Sequence, residues 1–375
     1  MSSRSRVLAG RPLAWVAAIA APIAVGAAVL VPMAASGAVD LPDKSVEELI
    51  AFASASEVDA LSGTIEQSSE LGLPDLAGLT GGPRERDDGP RAAEVDDLIA
   101  LVTGSHTANV YLDGDQARLQ VLDQLGERNV YVEKEAGEAW FVDSESQTAT
   151  RLTVPAGASP GAGDADRTLP TPDRMLDEAL ARLDATTEVT VGTDARVAGR
   201  EVYELLIVPR MEDTLVGEVR FAIDGENGAA LAASVTARGA SAPAFEIAFT
   251  RIDFSAPAPD TFAFEPGADM VVVEKDLTGP DDAEHERDAE KGDAAPVVIG
   301  EGWATVVALT AADGSGVPQA LEPAQLAMLE SVTTAVEGGR VLQTSLVSVL
   351  FTDDGRVLAG AVPAARLVEA ARTGR

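Results

Sequence analysis

"AFEIAFTRIDFSAPAPDTFAFEP", residues 244–266, opens with strict alternation. Phe245, Ile247 and Phe249 take every second place, with Glu246 and Ala248 between them. Side chains of a strand point alternately to its two faces, so this period of two predicts a strand that is greasy on one side only. The stretch then breaks into a Pro-rich run, Pro257, Pro259 and Pro266, that cannot continue a ladder. One half-buried strand has to belong to a larger sheet.

Moving outward, the same pattern recurs. In "VGEVRFAIDGENGAALAASVTA" (216–237), Val219, Phe221 and Ile223 alternate with Glu218, Arg220 and Ala222, and Asp224-Gly225 to Gly228 supplies the turn. "EVTVGTDARVAG" (188–199) and "REVYELLIVPR" (200–210) precede it as strands. Further upstream, "HTANVYLDGDQARLQVLD" (106–123) reads as a hairpin about Asp113-Gly114. There Val110, Leu112, Leu119 and Val121 alternate with Asn109, Tyr111, Arg118 and Gln120. "RNVYVEKEAGEAWFVDSESQTATRL" (128–152) repeats the idea about Ala136-Gly137.

Two helices accompany these strands. In "DKSVEELIAFASAS" (43–56), Ser45 and Glu48 have capping-box spacing, and Val46, Leu49, Ile50 and Ala53 form an apolar stripe. In "TPDRMLDEALARLDA" (171–185), Thr171 is the expected N-cap and Pro172 the first helical residue, with Met175, Leu176, Ala179 and Leu183 inward. Residues 44–275 thus read helix, strands, helix, strands. The expected fold class is α+β: an unclosed antiparallel β half-barrel with helices plugging the concave face.

The acidic segment 276–296 reads as a solvated linker. A small α+β unit over 297–375 follows, with a strand at 298–310, a helix at 322–336 (Leu326, Leu329 and Val336 inward), a hairpin about Asp354-Gly355 and a helix begun by Pro363.

At the other end, residues 1–38 read as an export segment. Arg4, Arg6 and Arg11 precede an uncharged apolar run, and Ser36 and Ala38 are small residues placed for cleavage. An uncleaved N-terminal anchor is the alternative, weakened by Pro22, Gly26 and Pro32. Either reading places the rest of the chain outside the cytoplasm, secreted or in the cell envelope.

The chain has no cysteine, which excludes disulfides, a thiol nucleophile and thiolate-ligated metal. Its formal charge of −33 repels nucleic acid and anionic membrane surfaces, so neither is an expected partner. Only two histidines are present, His106 and His285, and no G-x-S-x-G elbow or phosphate-binding loop accompanies them. No catalytic residue, metal site or cofactor is expected, and the chain does not read as an enzyme.

One segment stands apart. "LGLPDLAGL" (71–79) holds Leu71, Leu73, Leu76 and Leu79 among residues that break helices.

Taken as a set, "VAGREVYELLIVPR", "VGEVRFAIDGENGAALAASVTA" and the phrase from Phe249 to Pro266 resemble the second half of the lipoprotein-carrier superfamily of LolA and RseB/MucB. "VDALSGTIEQSSELGLPDL" resembles the first strand of exported LolA-like proteins of high-GC Gram-positive bacteria. The resemblance covers residues 44–275, and the tail after 297 matches the same exported proteins. It implies a half-barrel whose apolar face holds lipid or lipoprotein acyl chains. The residues expected to line that space are Val110, Leu112, Leu119, Val121, Val219, Phe221, Ile223, Phe245, Ile247 and Phe249, with the four leucines of 71–79 as a flap at its mouth. A non-catalytic carrier or sensor, acting as a monomer, is the expected role. The alternative is an RseB-like regulatory module that contacts a membrane protein or an anti-sigma factor.

Overall fold

The computed structural model describes residues 41–72, 104–122, 126–153, 171–276, 297–310 and 330–373. The expected export segment therefore lies outside the described residues, as do Leu73, Leu76 and Leu79 of the mouth loop and all of the expected linker except Asp276.

Helix α1 (Val46–Ser54) starts as the sequence dictates. The Ser45 hydroxyl accepts from the Glu48 N–H, and the Glu48 carboxylate accepts from the Ser45 N–H at 2.8 Å. The strands β1 (Ala60–Ser69), β2 (Gly104–Asp113), β3 (Gln116–Leu122), β4 (Glu127–Glu133), β5 (Glu138–Asp143) and β6 (Thr148–Thr153) then form a meander. Helix α2 (Pro172–Ala181) follows, capped by Thr171. A second run comprises β7 (Thr187–Val191), β8 (Ala195–Val197), β9 (Arg200–Pro209), β10 (Val216–Asp224), β11 (Ala230–Ala237) and β12 (Pro243–Asp253).

The two runs meet in the middle. β1 pairs antiparallel with β2 on one side and with β12 on the other, so the first strand lies at the centre of the sheet. The order is β13-β6-β5-β4-β3-β2-β1-β12-β11-β10-β9-β7, with β8 attached to β9. Its ends, β7 and β13 (Val271–Asp276), do not pair with each other, so the half-barrel is unclosed. β13 runs parallel to β6, the one parallel pairing among the described strands.

To reach β6 from β12, the chain crosses the sheet's polar face. Phe264 stacks on Tyr131 at 5.2 Å and meets Trp140 edge-on at 5.2 Å, while Arg118 Nη1 donates to the Thr261 carbonyl at 3.2 Å. This strap is the Pro-rich run that the sequence could place only as a break. Beneath it lie the polar alternates of the hairpin strands. Thr64 Oγ1 donates to Asn109 Oδ1 at 2.9 Å, and Asn109 Nδ2 to Gln120 Oε1 at 3.1 Å.

The C-terminal unit carries a second sheet of six strands. They are β14 (Val297–Ile299), β15 (Val306–Thr310), β16 (Thr334–Val336), β17 (Gly339–Gln343), β18 (Ser348–Thr352) and β19 (Arg356–Gly360), ordered β14-β15-β19-β18-β17-β16. Helix α3 (Ala364–Thr373) completes the unit. Two expectations are corrected here. The single strand expected over 298–310 is two, split by a 3-10 turn at Gly302–Ala304. The helix expected to run to Val336 has ended by then, because Thr334–Val336 pairs with β17 and the ladder overrides the helical pattern.

Candidate functional site

All ten residues expected to line an apolar space share one face of the large sheet. Antiparallel partners point the same way, and the register joins them strand to strand. Val219 lies opposite Val235 and Val235 opposite Phe245; Phe221 lies opposite Ala233 and Ala233 opposite Ile247. Phe249 faces Ile65, Ile65 faces Ala108, and Ala108 faces Val121. Val110 faces Leu119, and Ile223 faces Tyr203. Room for Phe249 comes from Gly63, where a Cβ would sit 2.6 Å from the phenyl ring.

The face is not covered evenly. Across β9–β12, Val219, Phe221, Ile223, Phe245, Ile247 and Phe249 are at most 3% exposed. They form one core with Leu49 and Ala53 of α1, Met175 and Leu176 of α2, and Leu346, Val347 and Val349 of the C-terminal unit. Across β2 and β3, Val121 is buried, but Val110, Leu112 and Leu119 are only half-buried. The described helices explain the contrast, since α1 packs on β7 and β9 and α2 on β11.

Within the closed half lies a cavity of about 510 Å³. Its floor is Ile207, Val216, Val219 and Phe221. One wall is α2 and the turn after it, through Met175, Ala179 and Leu183; the other is the C-terminal unit, through Trp303, Val307, Leu346, Val347 and Ala361. The charged liners Glu178, Arg182 and Asp184 all come from the end of α2 and the turn after it. A volume of this size with mostly apolar walls and a few polar groups at one end is the usual form of a small-molecule site.

The walls are held by specific bonds. Gly302 has φ +54, and a Cβ there would meet Thr186 Oγ1 at 2.7 Å. This close approach seats Trp303, whose Nε1–H donates to Thr187 Oγ1 at 2.9 Å. The Leu215 N–H and the Thr214 hydroxyl both donate to the Ala361 carbonyl at 2.8 Å. Leu71 is buried, and its carbonyl accepts from the Ser345 N–H at 2.9 Å. The one described leucine of the expected mouth loop therefore braces the turn that carries Leu346 into the cavity.

Burial raises two further carboxyls, the half-buried Asp173 and the buried Glu246. Asp173 accepts from the Ala230 N–H at 2.6 Å, tying α2 to β11, and burial pushes its carboxyl up to about 6, reinforced by the charge of Asp177. Glu246 sits on the opposite sheet face between Ser68 and Ser234, and burial raises it to about 7. His106 faces Gln67 across the β1–β2 ladder. Among the described residues, no group of three His, Asp or Glu side chains could hold a metal ion.

The C-terminal wall escaped sequence reasoning altogether. Trp303, Leu346 and Val347 reach the cavity through tertiary packing that leaves no periodic signal.

No protein-family model matches the chain, and no curated protein matches it. Solved structures are similar at low identity. The Pseudomonas aeruginosa MucA/MucB complex matches at 16% identity with a TM-score of 0.42, covering 86% of this chain and 96% of that one. A LolA superfamily protein from Nitrosomonas europaea matches at 7% and 0.22, covering 59% and 99%. A putative outer membrane lipoprotein-sorting protein domain from Vibrio parahaemolyticus matches at 10% and 0.22, covering 58% and 93%.

Proposed function

We propose that this protein is a non-catalytic, extracytoplasmic binder of lipid acyl chains, acting as a carrier or a sensor. The observation that carries this reading is the apolar cavity of about 510 Å³ floored by Val219 and Phe221. Apolar walls that face water rather than another apolar surface forfeit packing contacts that they would otherwise gain. An apolar occupant restores them and stabilises the protein by mass action. The export reading of residues 1–38 supplies the location, and the cysteine-free core suits a chain that folds without disulfides. Among the described residues, no helix is long and apolar enough to cross a membrane.

The test is native mass spectrometry and organic extraction of the full chain purified from its own host. Wild-type protein is expected to carry bound lipid, and Phe221→Asp to lose it. The aspartate of that variant would open onto the cavity, where water can reach it, so its desolvation cost is partial. Circular dichroism on the same samples reports whether the fold persists. Wild-type protein that holds no lipid and takes up no acyl-chain probe after delipidation would overturn the reading.

A further inference from the structure

We infer that the cavity between α2 and the C-terminal unit admits one acyl chain, on a head group without net negative charge, and excludes two- and three-chain lipids. This rests on the acyl-binding reading above and narrows it to a class of ligand: a single-chain amphiphile.

Volume sets the number of chains. A cavity of about 150 Å³ holds one benzene, or roughly 25 Å³ per carbon. On that ratio 510 Å³ admits about 20 carbons, enough for one chain of about 16 and part of a head. Two such chains need about 800 Å³ and three about 1,200 Å³. Expansion is opposed at the floor and at both walls. The floor is β9 and β10 at the closed half of the sheet, and α2 is tied to β11 by the Asp173–Ala230 bond. The far wall is held by the Trp303–Thr187 bond and the two bonds to the Ala361 carbonyl.

Exposure sets the direction. Phe221 and Ile207 at the floor are 1% exposed, whereas the Glu178 and Arg182 side chains are 39% and 60% exposed. The chain end of the ligand therefore lies against Phe221, and its head emerges beside the last turn of α2. Charge then selects the head. Arg182 is the one cation among the described liners, and it already faces Glu178 at 3.6 Å, a carboxylate also approached by Arg174 at 3.5 Å. Asp184 stands at the same rim, held ionised by hydrogen bonds from Thr186 and Thr187. The last turn of α2 presents its carbonyl end, and the basic residue there, Arg182 at the C-cap, is already engaged by Glu178. Added to a formal charge of −33, this rim repels a free carboxylate or phosphate and accepts a zwitterionic, neutral or cationic head.

Trp303 reports occupancy directly. With Trp15 and Trp140 replaced by Phe in the full chain, it is the sole indole. Palmitoyl-lysophosphatidylcholine brominated along its chain is expected to quench Trp303 fluorescence saturably. Brominated palmitate and a triacylated lipopeptide should each require at least tenfold higher concentration. Filling the cavity with Ala179→Phe, or separately Leu183→Phe, should weaken lysolipid quenching at least tenfold. At least one of the two is expected to retain the wild-type unfolding midpoint, since both side chains line the cavity rather than the closed core. Equal or tighter binding of the triacyl lipopeptide overturns the inference while leaving acyl binding intact, and would engage the half-buried face of β2 and β3. Equal binding of palmitate overturns the head-group assignment. Binding of none of the three overturns this inference and the acyl-binding reading together.

Discussion

Trp303 and Thr187 are joined across 116 residues of sequence by a single hydrogen bond, indole N–H to hydroxyl oxygen, at 2.9 Å. One residue belongs to the C-terminal unit and the other to the first residue of β7, so the bond spans the cavity's rim. Thr187→Val keeps the shape and removes the acceptor. The half-buried indole N–H is then left unpaired, at an expected cost of about 1–2 kcal/mol. Thr187→Ser should retain most of the stability. Urea unfolding of the three proteins checks this, and equal midpoints for Val and wild type would count against the bond.

Arg200 and Asp224 form the most enclosed ion pair among the described residues. The Asp224 side chain is fully buried, and it accepts from Arg200 Nη2 at 3.0 Å and from the Glu226 and Asn227 N–H groups. Arg200→Met preserves bulk against Phe254 but leaves the carboxylate without its cation. Breaking one side of a buried pair costs about 3–5 kcal/mol, and the two backbone donors should hold the loss near the lower end. A loss below about 1 kcal/mol in denaturant unfolding would show that the backbone donors alone satisfy Asp224.

How much of this was legible in the sequence depends on range. Ser45 with Glu48, Thr171 with Pro172, and Asp113 with Gly114 are local signals, and each marks the cap or turn it predicted. The alternation of Phe245, Ile247 and Phe249 gave the right face as well as the right element, because pleat and side-chain direction share one period. What failed was non-local. β13 pairs with a strand more than 100 residues earlier, and "VVVEKD" carries no mark of its parallel partner. Val336 sits in a helical pattern that the β17 ladder overrode. The cavity itself is a property of two units packing together, so its C-terminal wall could not be read from periodicity.

Gly63 is the tightest position on the apolar face. A Cβ there would meet the Phe249 ring at 2.6 Å and the Arg251 carbonyl at 2.8 Å. Gly63→Ala should therefore destabilise by about 1–3 kcal/mol through overpacking, although alanine is the better strand former in isolation. The double variant Gly63→Ala, Phe249→Leu should lose less than the sum of the single changes. Additivity in that cycle would place the strain elsewhere.

Stability should fall as pH rises from about 4.5 to about 7. Burial raises Glu246 from its ordinary 4.5 to about 7 and Asp173 from 3.8 to about 6. The folded state thus holds protons that the unfolded state releases, and it loses stability until both groups are ionised. Asp354, lowered to about 2 chiefly by its bond to Arg356 and then by Thr352, works in the opposite sense only below about 3.8. Glu246→Gln should flatten the slope and gain on the order of 3 kcal/mol at pH 8. Thermal melts from pH 4 to 8 test it, and an unchanged slope would mean that Glu246 titrates normally.

The position of β1 has a consequence for how the molecule is made. Among the described strands it is synthesised first, yet one of its edges waits for β12, and Thr64 meets Thr250 only 186 residues later. Chains whose contacts are this distant fold slowly, because a long loop must close before the pairing that rewards it. In the interval the nascent chain presents an unsatisfied central edge beside an uncovered apolar face, both open to wrong partners. A holdase that shields β1 until residue 253 has emerged would then matter more to the yield of this protein than the stability of its finished sheet.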